Sequence, residues 1–353
     1  MRVLVIGPSP TKSKGGMATV IKGISEDKYL NSEFDLSVFS SYIDGAKWVR
    51  VLYSIFAYIK FLFSYQTYDL FHIHMASYGS TFRKAKYVFF LKKHRKKLIL
   101  HIHGAAYMEF FGQLSAAKKQ YVIHTLNCAD MVIALSDEWK ERFETAFGLC
   151  NCVVLNNGVE TEAFAPAIID VDNFCNAFLF LGRFGKRKGA YDLIDAVDIV
   201  SKKHPEVKLY MAGDGELEKV REIVDKKHLK DHIEVVGWVD FAGKIKLLQK
   251  VSTLVLPSYN EGLPMAILEG MAAGKAIIST TVGAIPEVVA EENGILIEPG
   301  DVAALVSALE KCIESHEMVA AMSNHNIKKC NECYSRERTH RLIAEYYIKT
   351  AVL

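Results

Sequence analysis

An α/β fold of two doubly wound parallel-sheet domains is what this sequence predicts, and three observations predict it. Short β-branched runs alternate with helical patterns along most of the chain, the pattern of parallel sheets covered by helices on both faces. Runs such as Val3-Leu-Val-Ile6 and Thr253-Leu-Val-Leu256 are apolar at every position, as strands buried on both faces must be. A length of 353 residues is too great for one ordinary compact domain and suits two.

In the first half, strands are expected at 2–6, 34–39, 69–74, 98–104, 131–135 and 153–155. Gly7 to Gly16 is a glycine- and lysine-containing loop before a helix at 17–24, and Ser136 is the expected N-cap of a helix ending near Phe147. The turn-rich stretch from Asn156 to Pro166 reads as the start of a hinge. The second half repeats the alternation, with strands at 177–181, 207–211, 233–236, 253–256, 276–279 and 295–297 and long helices from Val302 onward. The expected domains are therefore 1–160, 161–335, and a C-terminal helix at 336–353.

Net charge is only +2, but residues 1–165 carry +6 and the remainder −4. The basic half includes the run Lys92-Lys-His-Arg-Lys-Lys97. Trp48 to Tyr65 is strongly apolar and aromatic, yet it is barely long enough to span a bilayer and is interrupted by Arg50 and Lys60. A buried or interface-lying helix is expected there. The seven cysteines form no paired framework and read as reduced thiols. Met1 to Ile6 reads as a strand, not a signal peptide.

Chemistry concentrates at the expected carboxyl ends of strands, where open α/β sheets bind ligands. Pro257-Ser-Tyr-Asn-Glu-Gly-Leu-Pro264 places Glu261 in a turn and Glu269 in the following helix. Treated as one helix, the two glutamates lie roughly 10–12 Å apart along the axis and about 80° apart around it, so they read as two separate clamps on one extended ligand. Arg183 and Lys188, in Gly182-Arg-Phe-Gly-Lys-Arg-Lys-Gly189, are cations suited to a diphosphate beside a helix N-terminus. Gly213 follows another strand, and Val236 and Trp238 bracket a strand end that can meet a base. Gly15 and Gly16 precede the first helix and offer backbone N–H groups to phosphate. His72, His74, His101 and His103 sit at alternate strand positions, but no carboxylate or cysteine completes a metal set at the usual spacing. No metal is expected, and His103, before Gly104, reads as a ligand-side hydrogen-bonding group.

Taken together, these motifs resemble the retaining nucleotide-sugar glycosyltransferases of the GT-B fold, the large group with a Glu, seven residues, Glu motif. The residues that carry the resemblance are Gly15-Gly16, His103-Gly104, Asn157-Gly-Val-Glu160, Gly182-Arg183 with Lys188-Gly189, Glu261-Gly-Leu-Pro with Glu269, Gly283 with Pro286-Glu287, Asn293-Gly294 and Pro299-Gly-Asp301. The resemblance implies that the first domain takes the acceptor and the second the nucleotide-sugar. Arg183 and Lys188 would hold the donor diphosphate, with Gly16, Gly262 and Leu263 assisting at their backbone and Gly213 and Pro264 nearby. Glu261 would hold the donor sugar, Glu269 the ribose, and Val236 and Trp238 the base. His103 and Glu261 would be the catalytic residues, with His74 and Gly15 on the acceptor side. No cofactor is implied beyond the co-substrate, with a UDP-sugar favoured slightly over a GDP-sugar.

Departures from the usual pattern are Glu160 for aspartate, Tyr259-Asn260, and Ala284 for glycine; none removes a charge from the site. The basic half and the aromatic segment suggest a cytoplasmic enzyme at an anionic membrane surface; with the hexosyltransferase activity that the resemblance implies, this suits a saccharide or lipid-linked saccharide acceptor of bacterial cell-surface polysaccharide biosynthesis. No nucleic acid is expected as a partner. A non-catalytic sugar-nucleotide binder or scaffold component of an assembly complex is the alternative reading. An inverting relative or epimerase would lack this Arg, Lys and paired-Glu set, and a nicotinamide oxidoreductase would need the dinucleotide fingerprint that residues 7–16 lack.

Overall fold

The computed structural model describes residues 1–13, 15–170, 173 and 175–353; Lys14 of the first glycine loop lies outside them. The chain divides into two compact units, Met1–Gly158 with Arg336–Leu353, and Val159–Ser335. The division falls between Gly158 and Val159, two residues before the boundary read from the sequence.

The first unit holds β1 (Arg2–Pro8), β2 (Asp35–Tyr42), β3 (Leu70–Met75), β4 (Lys97–Ile102), β5 (Met131–Ala134) and β6 (Cys152–Val154). They form one sheet in the order β2-β1-β3-β4-β5-β6, with every pair parallel. Strand order reverses direction between β1 and β3, so the crevice at their carboxyl ends is a topological switch point. Its core packs Val3, Val5, Leu70 and Ile99 against Ile21 and Ile24 of the helix Gly16–Glu26. The helix Arg336–Val352 closes the same core with Ile343, Ala344 and Tyr347. Ser136 caps the helix Asp137–Phe147 by accepting a hydrogen bond from the Trp139 N–H, and left-handed Gly148 ends it.

The second unit holds β7 (Ala177–Leu181), β8 (Lys208–Ala212), β9 (Ile233–Gly237), β10 (Thr253–Leu256), β11 (Ala276–Thr280) and β12 (Gly294–Ile297). Its sheet runs β12-β11-β10-β7-β8-β9, again all parallel. Here the switch point lies between β7 and β10. All seven cysteines are free.

The helix Lys47–Ser64 turns a narrow face inward through Ala57 and Phe61. Phe61 meets Tyr87 and Phe90 of the helix Gly79–Lys93 at ring-centroid distances of 4.8 and 5.8 Å. Its other face is a continuous exposed apolar stripe of Trp48, Val51, Leu52, Ile55, Phe56, Ile59 and Phe63, with Phe63 86% exposed. Spacings of three and four residues put these side chains on one side of the helix. Among the described residues, no helix is long and apolar enough to cross a membrane.

Candidate functional site

In the second unit, Glu261 and Lys188 meet at the β7/β10 switch point, whereas Gly213 follows β8 and Val236 and Trp238 stand at the end of β9. Glu261 is 5% exposed and lies in the turn before the helix Met265–Ala272. Its Oε1 accepts a hydrogen bond from the Ser258 hydroxyl at 2.7 Å and pairs with the Lys188 ammonium. Arg187 stands 3.9 Å from the other carboxylate oxygen and donates to the Asn260 carbonyl at 3.0 Å. Ser258 is itself held, because its carbonyl accepts from the Thr280 hydroxyl at 2.6 Å.

Gly189 makes this convergence sterically feasible. It has φ +67°, and a Cβ there would come within 2.0 Å of the Pro257 carbonyl oxygen. Only glycine lets the turn after β7 approach the end of β10 so closely, and that approach seats Lys188 on Glu261. Gly213 plays a similar packing role: at φ +157° its Cβ would lie 1.8 Å from the Gly182 carbonyl oxygen.

Glu269 lies inside its helix and is buried. A carboxylate there is costly without a partner, and Lys244 of the helix Phe241–Leu248 supplies one at 2.6 Å. Sequence reading missed Lys244, although Asp240, which caps that helix by accepting from the Gly243 N–H, marks where the lysine's helix begins. The helical separation estimated for the two glutamates does not apply, since Glu261 precedes the helix. What separates them is that each pairs with a different lysine on a different neighbouring element.

Arg183 is exposed and Val236 half-buried. Trp238 is 57% exposed. Gly262, Leu263 and Pro264 are buried directly after Glu261.

In the first unit, Gly15 and Gly16 are exposed at the start of the helix Gly16–Glu26, where no side chain among the described residues caps the helix. His74 and His103 face each other across β3 and the end of β4, with Nδ1 of His74 2.8 Å from Nε2 of His103. The neighbouring pair is His72 Nε2 and His101 Nδ1 at 3.3 Å, and His72 Nδ1 meets the Tyr347 hydroxyl at 2.8 Å. The rings stack, with centroids 4.0 to 5.4 Å apart.

Ligand atoms of His72, His74 and His101 all lie within 4.8 Å of one another, closer than their spacing alone suggested. Both nitrogens of His72 are hydrogen-bonded, so a metal would have to displace one of those bonds. Burial drives the basicity of all four imidazoles down, His72 and His103 to about 3, with neighbouring histidines adding to the effect at His72, His74 and His101. His103 still reaches the surface, so the enclosed His72 is the firmer case.

Two family profiles match the chain: Glycosyltransferase Family 4 over residues 26–163 and Glycosyl transferases group 1 over residues 172–329. The chain belongs to the group 1 glycosyl transferases. An uncharacterized glycosyltransferase of Methanocaldococcus jannaschii is 30% identical over 243 residues, covering 68% of this chain and 65% of the relative. The phosphatidyl-myo-inositol mannosyltransferase of Mycobacterium leprae is 32% identical over 182 residues, covering 50% of this chain and 48% of the relative. The chain thus spans about half to two thirds of these relatives' length. The Anabaena protein HepE, solved in complex with UDP-glucose, superimposes with a TM-score of 0.78 at 20% identity, covering 99% of this chain and 100% of that one. This is the two-domain GT-B fold of the group 1 glycosyltransferases.

Proposed function

We propose that this chain transfers a hexose from a nucleotide-sugar to an acceptor hydroxyl with retention of anomeric configuration. The observation that carries the reading is the buried Glu261, held by Ser258 and Lys188 at the β7/β10 switch point. Lys188 and Arg183 supply positive charge where the diphosphate leaves. Glu261 holds hydroxyls of the donor sugar, and Glu269, positioned by Lys244, holds the ribose. In the reaction, the acceptor oxygen bonds to the anomeric carbon as the bond from that carbon to the phosphate oxygen breaks. The acceptor's proton passes to the departing phosphate on the same face. His103 and His74, with Gly15, belong to the acceptor side, and Val236 and Trp238 to the base. UDP is the favoured nucleotide, in keeping with the UDP-glucose complex of the HepE protein.

Thermal-shift measurements with UDP, GDP, ADP and TDP test the donor assignment. UDP is expected to raise the melting temperature most, and Lys244→Ala to weaken UDP binding about tenfold by releasing Glu269. Equal responses to all four nucleotides would overturn the assignment. The anomeric proton coupling of the product reads retention directly.

The acceptor is a lipid-linked saccharide of cell-surface polysaccharide assembly, met at an anionic membrane surface. The exposed stripe on the helix Lys47–Ser64 suits an interfacial position, flanked by Lys47 and Lys60 and followed by the basic run 92–97. Phe90, just before that run, and His94, within it, pack on Tyr65 just past the end of the stripe's helix. Two phenylalanines leaving water contribute roughly 3–6 kcal/mol. Phe56→Glu with Phe63→Glu is therefore expected to cut co-sedimentation with anionic liposomes by about a hundredfold or more. Undiminished sedimentation of the double variant would remove the helix from the membrane contact.

A further inference from the structure

The first unit has its own crevice, at the β1/β3 switch point, with a volume of roughly 340 Å³. It is lined by the start of the helix Gly16–Glu26, by Tyr42 and Asp44 after β2, and by Arg83 and Lys84 of the helix Gly79–Lys93. Lys84 is only 3% exposed. Its ammonium donates to the Ser41 hydroxyl and lies 5.9 Å from the Tyr87 ring centre. The Ser41 hydroxyl is spent on the Gly7 carbonyl at 2.8 Å. Among the described residues, no carboxylate pairs with Lys84, and a buried cation without a counter-ion is costly.

Three further features of the crevice favour an anion. Arg83 lies over the Tyr42 ring at 4.9 Å and keeps its charge beside the cavity. The uncapped start of the helix Gly16–Glu26 adds N–H groups and a positive dipole end. Among the described residues, the buried Ser13 hydroxyl has no hydrogen-bond partner. Asp44, the carboxylate among the described lining residues, is exposed, so water screens it while Lys84 stays dry.

Resting on the glycosyltransferase reading, we infer that this crevice seats a phosphoryl group carried by the acceptor, with Lys84 as its buried counter-charge and Arg83 at its mouth. The crevice lies beside the helix Lys47–Ser64, since Tyr42 also receives a hydrogen bond from its Arg50, at 3.4 Å. A phosphate seated there can belong to a lipid headgroup or to a soluble phosphorylated acceptor. Burial, with Arg83 adding, lowers the Lys84 pKa to about 7. An oxyanion entering the crevice stabilises the ammonium form, so binding draws a proton from solvent.

Sulfate is a suitable probe, as a tetrahedral oxyanion with no proton of its own to exchange near neutrality. Calorimetry with UDP-saturated protein at about pH 8, in two buffers of different ionisation enthalpy, reads both affinity and proton uptake. Uptake approaching one proton per site is expected. Lys84→Met is expected to weaken sulfate binding roughly tenfold or more and to abolish the uptake. Lys84→Arg, which keeps a charge but cannot titrate, is expected to bind sulfate without uptake. Arg83→Gln at the mouth should weaken binding in a protein whose fold is not in question.

Sulfate binding that UDP displaces, binding without uptake in the wild type, or equal affinity in Lys84→Met and Arg83→Gln would each overturn the assignment. UDP binding to the same samples is read independently, so loss of the donor reading and loss of this one are told apart. Glycerol phosphate and phosphatidylcholine vesicles containing phosphatidic acid then separate the soluble from the lipid source. Lys84-dependent binding of either supports the crevice, and binding of neither overturns it.

Discussion

Moving the protein from pH 7 to pH 5 is expected to remove about 2 kcal/mol of stability from the first unit through His72, with His74 and His101 adding to the loss in the same direction. His72, His74 and His101 are enclosed in the sheet and hydrogen-bonded or stacked in neutral form. Their basicity is pushed far down, His72 to about 3. In the unfolded chain each recovers an ordinary pKa near 6.5. Above that value neither state is protonated and the histidines cost nothing. Below it the unfolded state binds protons that the folded state refuses, so stability falls as pH falls. By pH 5 the loss is about 2 kcal/mol for His72, and His74 and His101 act in the same direction. The His72 loss alone is a sizeable share of the stability of a typical domain, about 5–15 kcal/mol.

Lys84 does not blur this window, because below about pH 7 it is protonated in both states. The lowered pKa of Asp27, where burial opposes hydrogen bonds from Leu30 and His340, acts only at more acid pH. Denaturant titrations at pH 7, 6 and 5, followed by the emission of the buried Trp139, measure the effect. A midpoint that stays constant from pH 7 to 5 would show that the histidine ladder accepts protons while folded.

Separating Lys188 from Glu261 is expected to damage both stability and transfer. Lys188→Ala leaves a carboxylate in a buried turn with the Ser258 hydroxyl as its nearest partner and Arg187 3.9 Å away. Removing one member of such a pair costs about 3–5 kcal/mol, whereas removing both costs less. A double-mutant cycle of Lys188→Ala and Glu261→Ala is therefore expected to give a coupling of about 2 kcal/mol. Transfer should fall on the order of a thousandfold in either single variant, because stabilisation of the leaving diphosphate and the grip on the donor sugar both pass through this pair.

Arg183→Ala provides the contrast. Its side chain is exposed, so stability should move by less than about 0.5 kcal/mol while transfer falls. A coupled cycle with transfer unimpaired would return Glu261 and Lys188 to a purely structural role.

The positions of the twelve strands were legible in the sequence to within a few residues, as at Ala177–Leu181 and Thr253–Leu256. Parallel strands buried on both faces read as uninterrupted apolar runs, and that signal needs no knowledge of neighbours. The placing of Glu261 and Lys188 at strand ends was legible for a related reason: glycines, prolines and charges cluster where strands end. The helix Lys47–Ser64 was also legible as a helix. Which of its sides meets solvent was not, since Phe61 on one side and Phe56 on the other are equally apolar.

Partnership was the larger omission. Lys188 and Glu261 lie 73 residues apart, Lys244 and Glu269 lie 25 apart, and His72 and Tyr347 lie 275 apart. Such pairs are joined by strand order, and local periodicity carries no record of strand order. The sequence by itself determined two parallel α/β units and the residue types at their strand ends. Only the tertiary structure decided which charges neutralise one another, and that Lys84 faces a crevice with no carboxylate partner among the described residues. The physical reason is that burial and pairing arise from contacts between segments far apart in the chain.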